Sequence, residues 1–251
     1  MHPARIAELL EPFLTPIPND CHSESGRRAG EEPAVLSATQ LQNISTYIDI
    51  LLRWNARINL TAIRDPEEIV TRHFGESLFA ARHLFPIYPV SSTVPSVVKD
   101  FDPANDRRPT TNGQVADVGS GAGFPGIPIK LWAPNIALTL IESNHKKAAF
   151  LKEVARSLTL TNINIQNTRA EDLPPGLSFD VVTLRAVERF VEVLPAAARL
   201  LAPSGRLALL LGSSQLDHAH SSLPNLSWGD PLPIPMSKSR SLLIGQREPA
   251  Q

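Results

Sequence analysis

The chain predicts an α/β fold, a mostly parallel sheet wound by helices, preceded by a small helical subdomain. Three observations predict it. A short apolar run, Val115 to Val118, leads into glycines at alternate positions (Gly119, Gly121, Gly123) and then into Ile127, Ile129, Leu131 and Trp132 at helical spacing. A strand, a glycine-rich turn and a helix together open a nucleotide-binding α/β domain. From Val115 onward, strand-like and helix-like runs alternate, the mark of parallel pairing. Before Val115, helix-start signals and helical periodicity recur between Ser37 and Leu84.

In chain order, residues 1–35 read as a poorly ordered segment. A short helix over residues 1–10 is broken by Pro12, Pro16 and Pro18, and Asn19 to Pro33 has a disordered composition. Residues 36–86 form the helical subdomain. Ser37 and Gln40 make a capping box, and Leu41, Ile44, Ile48, Leu51 and Ile58 line one face with Trp54 beside them. Arg53 and Arg57 read as solvated surface. Asp65 is the next N-cap, with Pro66 at the first helical position, Glu68 closing the box and Gly75 a candidate interruption. Residues 87–113 read as a linker or insertion of low order, in which Arg107 and Arg108 form a solvated pair.

Residues 114–251 form the main domain. Ala137 to Ile141, Ile163 to Ile165, Phe179 to Leu184 and Arg206 to Leu211 read as its further strands. Phe150, Val154 and Leu158 mark the core side of a helix after Glu142. Val187 to Leu201 reads as a helix bent at Pro195, and Pro203-Ser-Gly205 as a turn. Leu223 to Trp228 and Ser241 to Ile244 are weaker strands that complete the sheet as a hairpin-like pair.

Composition narrows the function. A chain of 251 residues with 42% hydrophobic content buries one sizeable core and a small appended unit. Its net charge of −1 argues against a dedicated nucleic-acid module. Any RNA contact must come from local clusters of charge. The single cysteine, Cys21, excludes an intrachain disulfide. With no secretory pattern and no apolar run long enough to span a bilayer, a cytoplasmic protein without membrane contact is expected. The seven histidines are scattered, so no metal site is expected.

The glycines belong where a turn needs unusual backbone angles and a ligand meets bare backbone. Glu142 follows Gly123 by nineteen residues, at the tip of the second strand, where a carboxylate holds a ribose diol. Its plainer reading is a cap for the next helix. The turn reads G-x-G-x-G and then Phe124-Pro-Gly, not the dinucleotide G-x-G-x-x-G, and the acidic pair Glu171-Asp172 follows the third strand. Dinucleotide and S-adenosylmethionine sites both fit the geometry. The combination favours S-adenosyl-L-methionine, bound by Gly119, Gly121, Gly123, Phe124, Glu142, Ala170, Glu171 and Arg185.

The run Asp117-Val-Gly-Ser-Gly-Ala-Gly-Phe-Pro-Gly-Ile-Pro-Ile-Lys130 resembles the GidB-like family of ribosomal RNA small-subunit methyltransferases. Leu140 to Lys152, Thr168 to Glu171, Leu184 to Val187, Trp54 to Ile63 and Arg72 to Leu78 are similar to further family segments. The resemblance covers residues 36–86 and 114–247. It implies a class I, Rossmann-like methyltransferase that modifies guanine N7 in 16S rRNA, with the small ribosomal subunit or its precursor as partner. A monomer is expected. The residue-level alternatives are a methyltransferase for a small molecule or protein, and an interaction module without catalysis. Arg185, at the end of the fourth strand, is the candidate catalytic residue, with an ion pair to Glu188 or Glu192 as its structural alternative. Arg169, Lys146, Lys147 and His73 are candidate RNA contacts, although a buried, hydrogen-bonded His73 is favoured. Two positions depart from the family: Leu211 replaces a usual lysine, and Glu76 a usual aspartate.

Overall fold

The computed structural model describes residues 1–15, 35–86, 113–185 and 189–249. The expected linker up to Asn112, the disordered-type stretch from Asn19 to Pro33, Cys21, the Arg107–Arg108 pair and Glu188 lie outside the described residues. Among the described residues no helix is long and apolar enough to cross a membrane.

The helical layer holds α1 (Pro3–Leu14), α2 (Ala38–Asn55), α3 (Pro66–Glu68) and α4 (Glu76–Leu84), the last two joined by a π-helical stretch, Ile69–Gly75. Helix α1 is a departure from the sequence reading, because it continues through Pro12. A proline in a helix costs about 3 kcal/mol. Ile6, Leu10, Phe13 and Leu14 are all buried, and at about 1.5–3 kcal/mol per side chain their burial outweighs that cost. The capping box at Ser37 forms with Gln40 as expected. Asp65 accepts from the Glu68 amide at 2.8 Å, but the Glu68 side chain pairs with Arg72 instead of closing a box. Gly75 does not interrupt the rod. It makes room for Phe13, whose ring carbons a Cβ there would approach to 2.5 Å.

The sheet has the strand order β3-β2-β1-β4-β5-β8-β6, with β7 paired to β8. Strands β1 (Gln114–Val118), β2 (Ala137–Ile141), β3 (Ile163–Gln166), β4 (Phe179–Arg185) and β5 (Leu201–Gly212) run parallel. β6 (Leu226–Trp228), β7 (Leu232–Pro233) and β8 (Arg240–Arg247) supply the antiparallel edge. The chain reverses its strand order after β3, placing β4 on the other side of β1. Ligands bind at such a switch point, beyond the carboxyl ends of the strands. The expected turn at Pro203-Ser-Gly205 falls within β5 as an irregularity, with Ser204 in the left-handed region.

Helices α5 (Gly126–Trp132), α6 (His145–Ser157), α7 (Phe190–Arg199) and α8 (Leu216–Ser222) cover the sheet. α7 runs through Pro195. The larger core joins the helical layer, α5 and α6 to one face of the sheet, and a second core packs α7 and α8 on the other. Leu211 belongs to this second core.

Candidate functional site

The site begins where β1 ends. Gly119, Gly121 and Gly123 all have positive φ, 68°, 56° and 83°, values that side chains resist. The amides of Gly119 and Ser120 donate to Ile141 O of the neighbouring strand, at 2.9 and 3.1 Å. Those of Gly123 and Phe124 fold back to Ser120 O. The turn is therefore tied to both parallel strands and leads straight into α5.

Glu142 lies across from it at the tip of β2. Its Oε2 accepts from the Gly121 amide at 2.8 Å and its Oε1 from the Asn144 amide at 2.7 Å. The side chain is buried yet lines the cavity. Each oxygen keeps a lone pair for a further donor. The helix cap considered for Glu142 is Asn144 instead, whose Oδ1 accepts from the amides of Lys146 and Lys147.

A cavity of about 510 Å³ opens beside the turn, within the size range of small-molecule sites. Gly119, Gly121, Phe124, Glu142, Ala170, Glu171 and Arg185 all line it, as do Lys147, Arg169 and His73. Gly123 and Lys146 do not. Gly123 is packed beneath Tyr47, and Lys146 is exposed. A Cβ added at Gly121 meets only Gly119 O, at 3.8 Å. The space beside Gly121 is thus open to a ligand, and the pairing of bare backbone with a buried carboxylate fits an adenosyl group with a ribose diol.

The helical layer closes the other side. Asn55 shapes the loop after α2, with Oδ1 accepting from the amides of Leu60 and Thr61 and Nδ2 donating to Thr61 O. Leu60 and Thr61 then reach the cavity. Phe124 sits in a stack, Tyr47 on one side at 5.3 Å and His73 on the other at 4.7 Å. His73 is buried and hydrogen-bonded. Its Nδ1 faces Arg185 Nη1 at 3.0 Å, and a guanidinium only donates, so Nδ1 is the acceptor. Nε2 then carries the proton and donates to Thr61 Oγ1 at 2.8 Å. Burial first, and then the charges of Arg185, Arg72 and Arg240, push its pKa down to about 3.

Arg185 reaches the cavity, but three of its donors point into the protein. Nε donates to Glu76 Oε2 at 3.2 Å, Nη1 to His73, and Nη2 to Arg72 O at 2.7 Å. Its carboxylate partner is therefore Glu76, while Glu192 pairs with Arg189. Burial lowers the Arg185 pKa, an effect that Glu76 opposes.

Two residues that position the turn escaped the sequence reading. Asp117, fully buried, accepts from Thr183 Oγ1 at 2.8 Å and from the Gly126 amide at 3.1 Å. Burial pushes its carboxyl up to about 7 against the pull of these hydrogen bonds. The available signal was an acid inside an apolar strand. Tyr47 donates its hydroxyl to Ala122 O, and its signal was an aromatic on the core face of α2. Among the described residues no group of side chains could hold a metal ion.

The family model for rRNA small subunit methyltransferase G matches residues 40–88 and 102–228. The chain belongs to this family. The ribosomal RNA small subunit methyltransferase G of Xylella fastidiosa is 37% identical over 167 residues, 66% of this chain and 66% of that one. The chain therefore matches about two thirds of that relative's length. The protein of the same name from Halorhodospira halophila is 38% identical over 70% of this chain and 72% of its own. That from Xanthomonas euvesicatoria pv. vesicatoria is 34% identical over 75% of each. Among solved structures, the ribosomal protein L11 methylase of Lactobacillus delbrueckii subsp. bulgaricus aligns with a TM-score of 0.51 at 16% identity. It covers 70% of this chain and 80% of that one, a likeness of fold. The fold is that of a class I, Rossmann-like methyltransferase. The family match starts within α2, so α1, which packs under the π-helical stretch, lies outside it.

Proposed function

We propose that this protein transfers a methyl group from S-adenosyl-L-methionine to N7 of a guanosine in 16S rRNA. It acts in the cytoplasm, as a monomer, on the small ribosomal subunit or its precursor. The observation that carries the reading is the cavity at the switch point, with bare glycine backbone on one wall and the Glu142 carboxylate on the other. Family membership supports ribosomal RNA as the substrate.

The bound cofactor supplies a methyl group made electrophilic by its sulfonium. The chain aligns the acceptor behind it. Glu142 offers its remaining lone pairs to the ribose hydroxyls, and Gly119 and Gly121 let the ligand approach the backbone. Ala170 and Glu171 bound the adenine side, with the edge of Phe124 at the floor. Lys147 and Arg169, at the rim, face the RNA. Arg185 acts as a positioning residue, holding His73 and the π-helical stretch against the end of β4.

Guanine N7 has a lone pair and no proton, so its methylation needs no base. His73 suits this chemistry, because its one lone pair is committed to Arg185 and its pKa of about 3 keeps it neutral. The test is methyl transfer from labelled cofactor to small subunits purified from cells lacking this protein. Label recovered as N7-methylguanosine supports the reading. Label on a ribosomal protein, or none on RNA, defeats it.

A further inference from the structure

A second cavity, of about 300 Å³, lies on the far side of the π-helical stretch, between it and the turn joining β7 to β8. Arg72, Lys238 and Arg240 line it together with Glu76. Three guanidinium groups converge on that single carboxylate. Arg240 Nε stands 3.0 Å from it, Arg185 Nη2 3.1 Å and Arg72 Nε 3.7 Å. Arg72 also pairs with Glu68 at 3.3 Å, so the three guanidinium groups exceed their two carboxylate partners by one charge, and Lys238 adds another at the mouth. Partly buried charge of one sign calls for a counterion.

The geometry says where that counterion sits. The Glu76 side chain is 2% exposed, while those of Arg240 and Arg72 are 19% and 50% exposed. The cations, and not the carboxylate, therefore meet the solvent. Among the described residues Arg240 Nε is buried without a hydrogen-bond acceptor although Glu76 Oε2 stands 3.0 Å away, and Nη2 donates to Leu210 O at 3.4 Å. At the tip of the turn Met236 is 70% exposed and held at φ 59°. It is a polarisable apolar group beside a cationic floor. π-helical turns are rare and concentrate at functional sites. This one sets consecutive residues on two cavities: Arg72 on the second and His73 on the first.

We propose that the second cavity is a phosphate subsite. It takes a phosphodiester of the RNA strand whose guanosine enters the first cavity, with Arg72, Lys238 and Arg240 as its ligands and Met236 packing beside the adjoining nucleotide. The proposal rests on the functional reading above. An RNA chain held at both points is fixed in register, which explains how a protein of net charge −1 holds a polyanion.

The experiment compares wild type with Lys238→Gln, Lys238→Glu and Arg240→Gln in steady-state methylation of small subunits over a range of salt. Lys238 is exposed, so its variants fold whatever becomes of Arg240→Gln. Lys238→Gln should raise KM for the subunit about fivefold, and flatten the log KM against log salt slope by about one contact's worth. Lys238→Glu should raise KM further. In each, kcat and the Kd for S-adenosylmethionine should stay within about twofold. An active wild type with unchanged KM and salt slope in both Lys238 variants overturns the subsite alone. A wild type inactive on ribosomal RNA removes the functional reading and the subsite with it. Titration with inorganic phosphate separates the two sources of anion. If Lys238→Gln weakens phosphate binding but leaves KM untouched, the site serves a free anion and the RNA assignment falls.

Discussion

Gly121 and Gly123 lie two residues apart in one turn, yet substituting them should have opposite effects. Both hold positive φ, so any side chain there costs roughly 1–2 kcal/mol in backbone strain. At Gly121 little is added, because a Cβ finds only Gly119 O at 3.8 Å. Gly121→Val should lower the melting temperature by about 4–8 °C, from about 2 kcal/mol at roughly 2–4 °C each. Its methyls enter the space meant for the ligand, so cofactor affinity should fall at least about 100-fold, near 3 kcal/mol. At Gly123 a Cβ lies 2.4 Å from the Tyr47 hydroxyl and 2.8 Å from Ile127 Cδ1. The hydroxyl cannot yield without breaking its bond to Ala122 O. Overpacking adds about 1–3 kcal/mol, so Gly123→Ala should melt on the order of 10 °C lower. It should keep most of its affinity per folded molecule. Calorimetric titration with S-adenosylmethionine and thermal melts of the same preparations measure both quantities. Normal binding by Gly121→Val, or an unshifted melt for Gly123→Ala, would refute the reasoning.

Further expectations follow from the same contacts. Glu142→Ala strips the Gly121 and Asn144 amides of their acceptor and removes the proposed ribose contact, so cofactor binding should weaken by about 1–3 kcal/mol. An unchanged Kd by calorimetry would place the ribose elsewhere. Arg185→Ala removes one of three cations from buried Glu76 and frees His73. It should lower turnover about 100-fold through misplacement, with a fall in melting temperature on the order of 10 °C. Arg185→Lys should recover little of either, because an ammonium does not copy the three-directional fork. Normal turnover with only a lower melt would make Arg185 a structural brace alone. Asp117 and His73 oppose one another in the pH dependence of stability. The folded pKa of Asp117 is raised to about 7, so its contribution is present at low pH and lost as pH rises. That of His73 is held down to about 3, so its contribution is present above about pH 6.5 and lost as pH falls. His73→Gln removes the second effect, so its deficit against wild type in urea unfolding should be about 2 kcal/mol larger at about pH 6.5 than at about pH 4.5. A deficit independent of pH would contradict the burial argument.

What could be read from the sequence was what local spacing encodes. The strand-turn-helix around Gly119 to Gly123, the acid at the end of β2 and the cap at Ser37 depend on neighbours within a few residues, and all three stand in the structure. The contacts that finish the site do not. Arg185 meets Glu76 across 109 positions and Tyr47 reaches Ala122 across 75, so helical or strand periodicity carries no trace of either. The aromatic stack through Phe124 needs the helical layer already docked. Asp117 was passed over because its run reads as apolar, although a lone carboxylate there must have buried partners. Pro12 misled for the opposite reason: the local rule against proline is sound, but burial of Phe13 against Gly75 outweighs it.

The most direct test of the account is mass mapping of nuclease fragments of 16S rRNA from cells with and without this protein. The account predicts one guanosine that carries a methyl group in the parent cells, sensitive to cleavage at N7-methylated sites, and that is unmodified when the protein is missing. Modification should return with the intact protein and fail to return with Gly121→Val. An identical methylation pattern in both cell lines would contradict it.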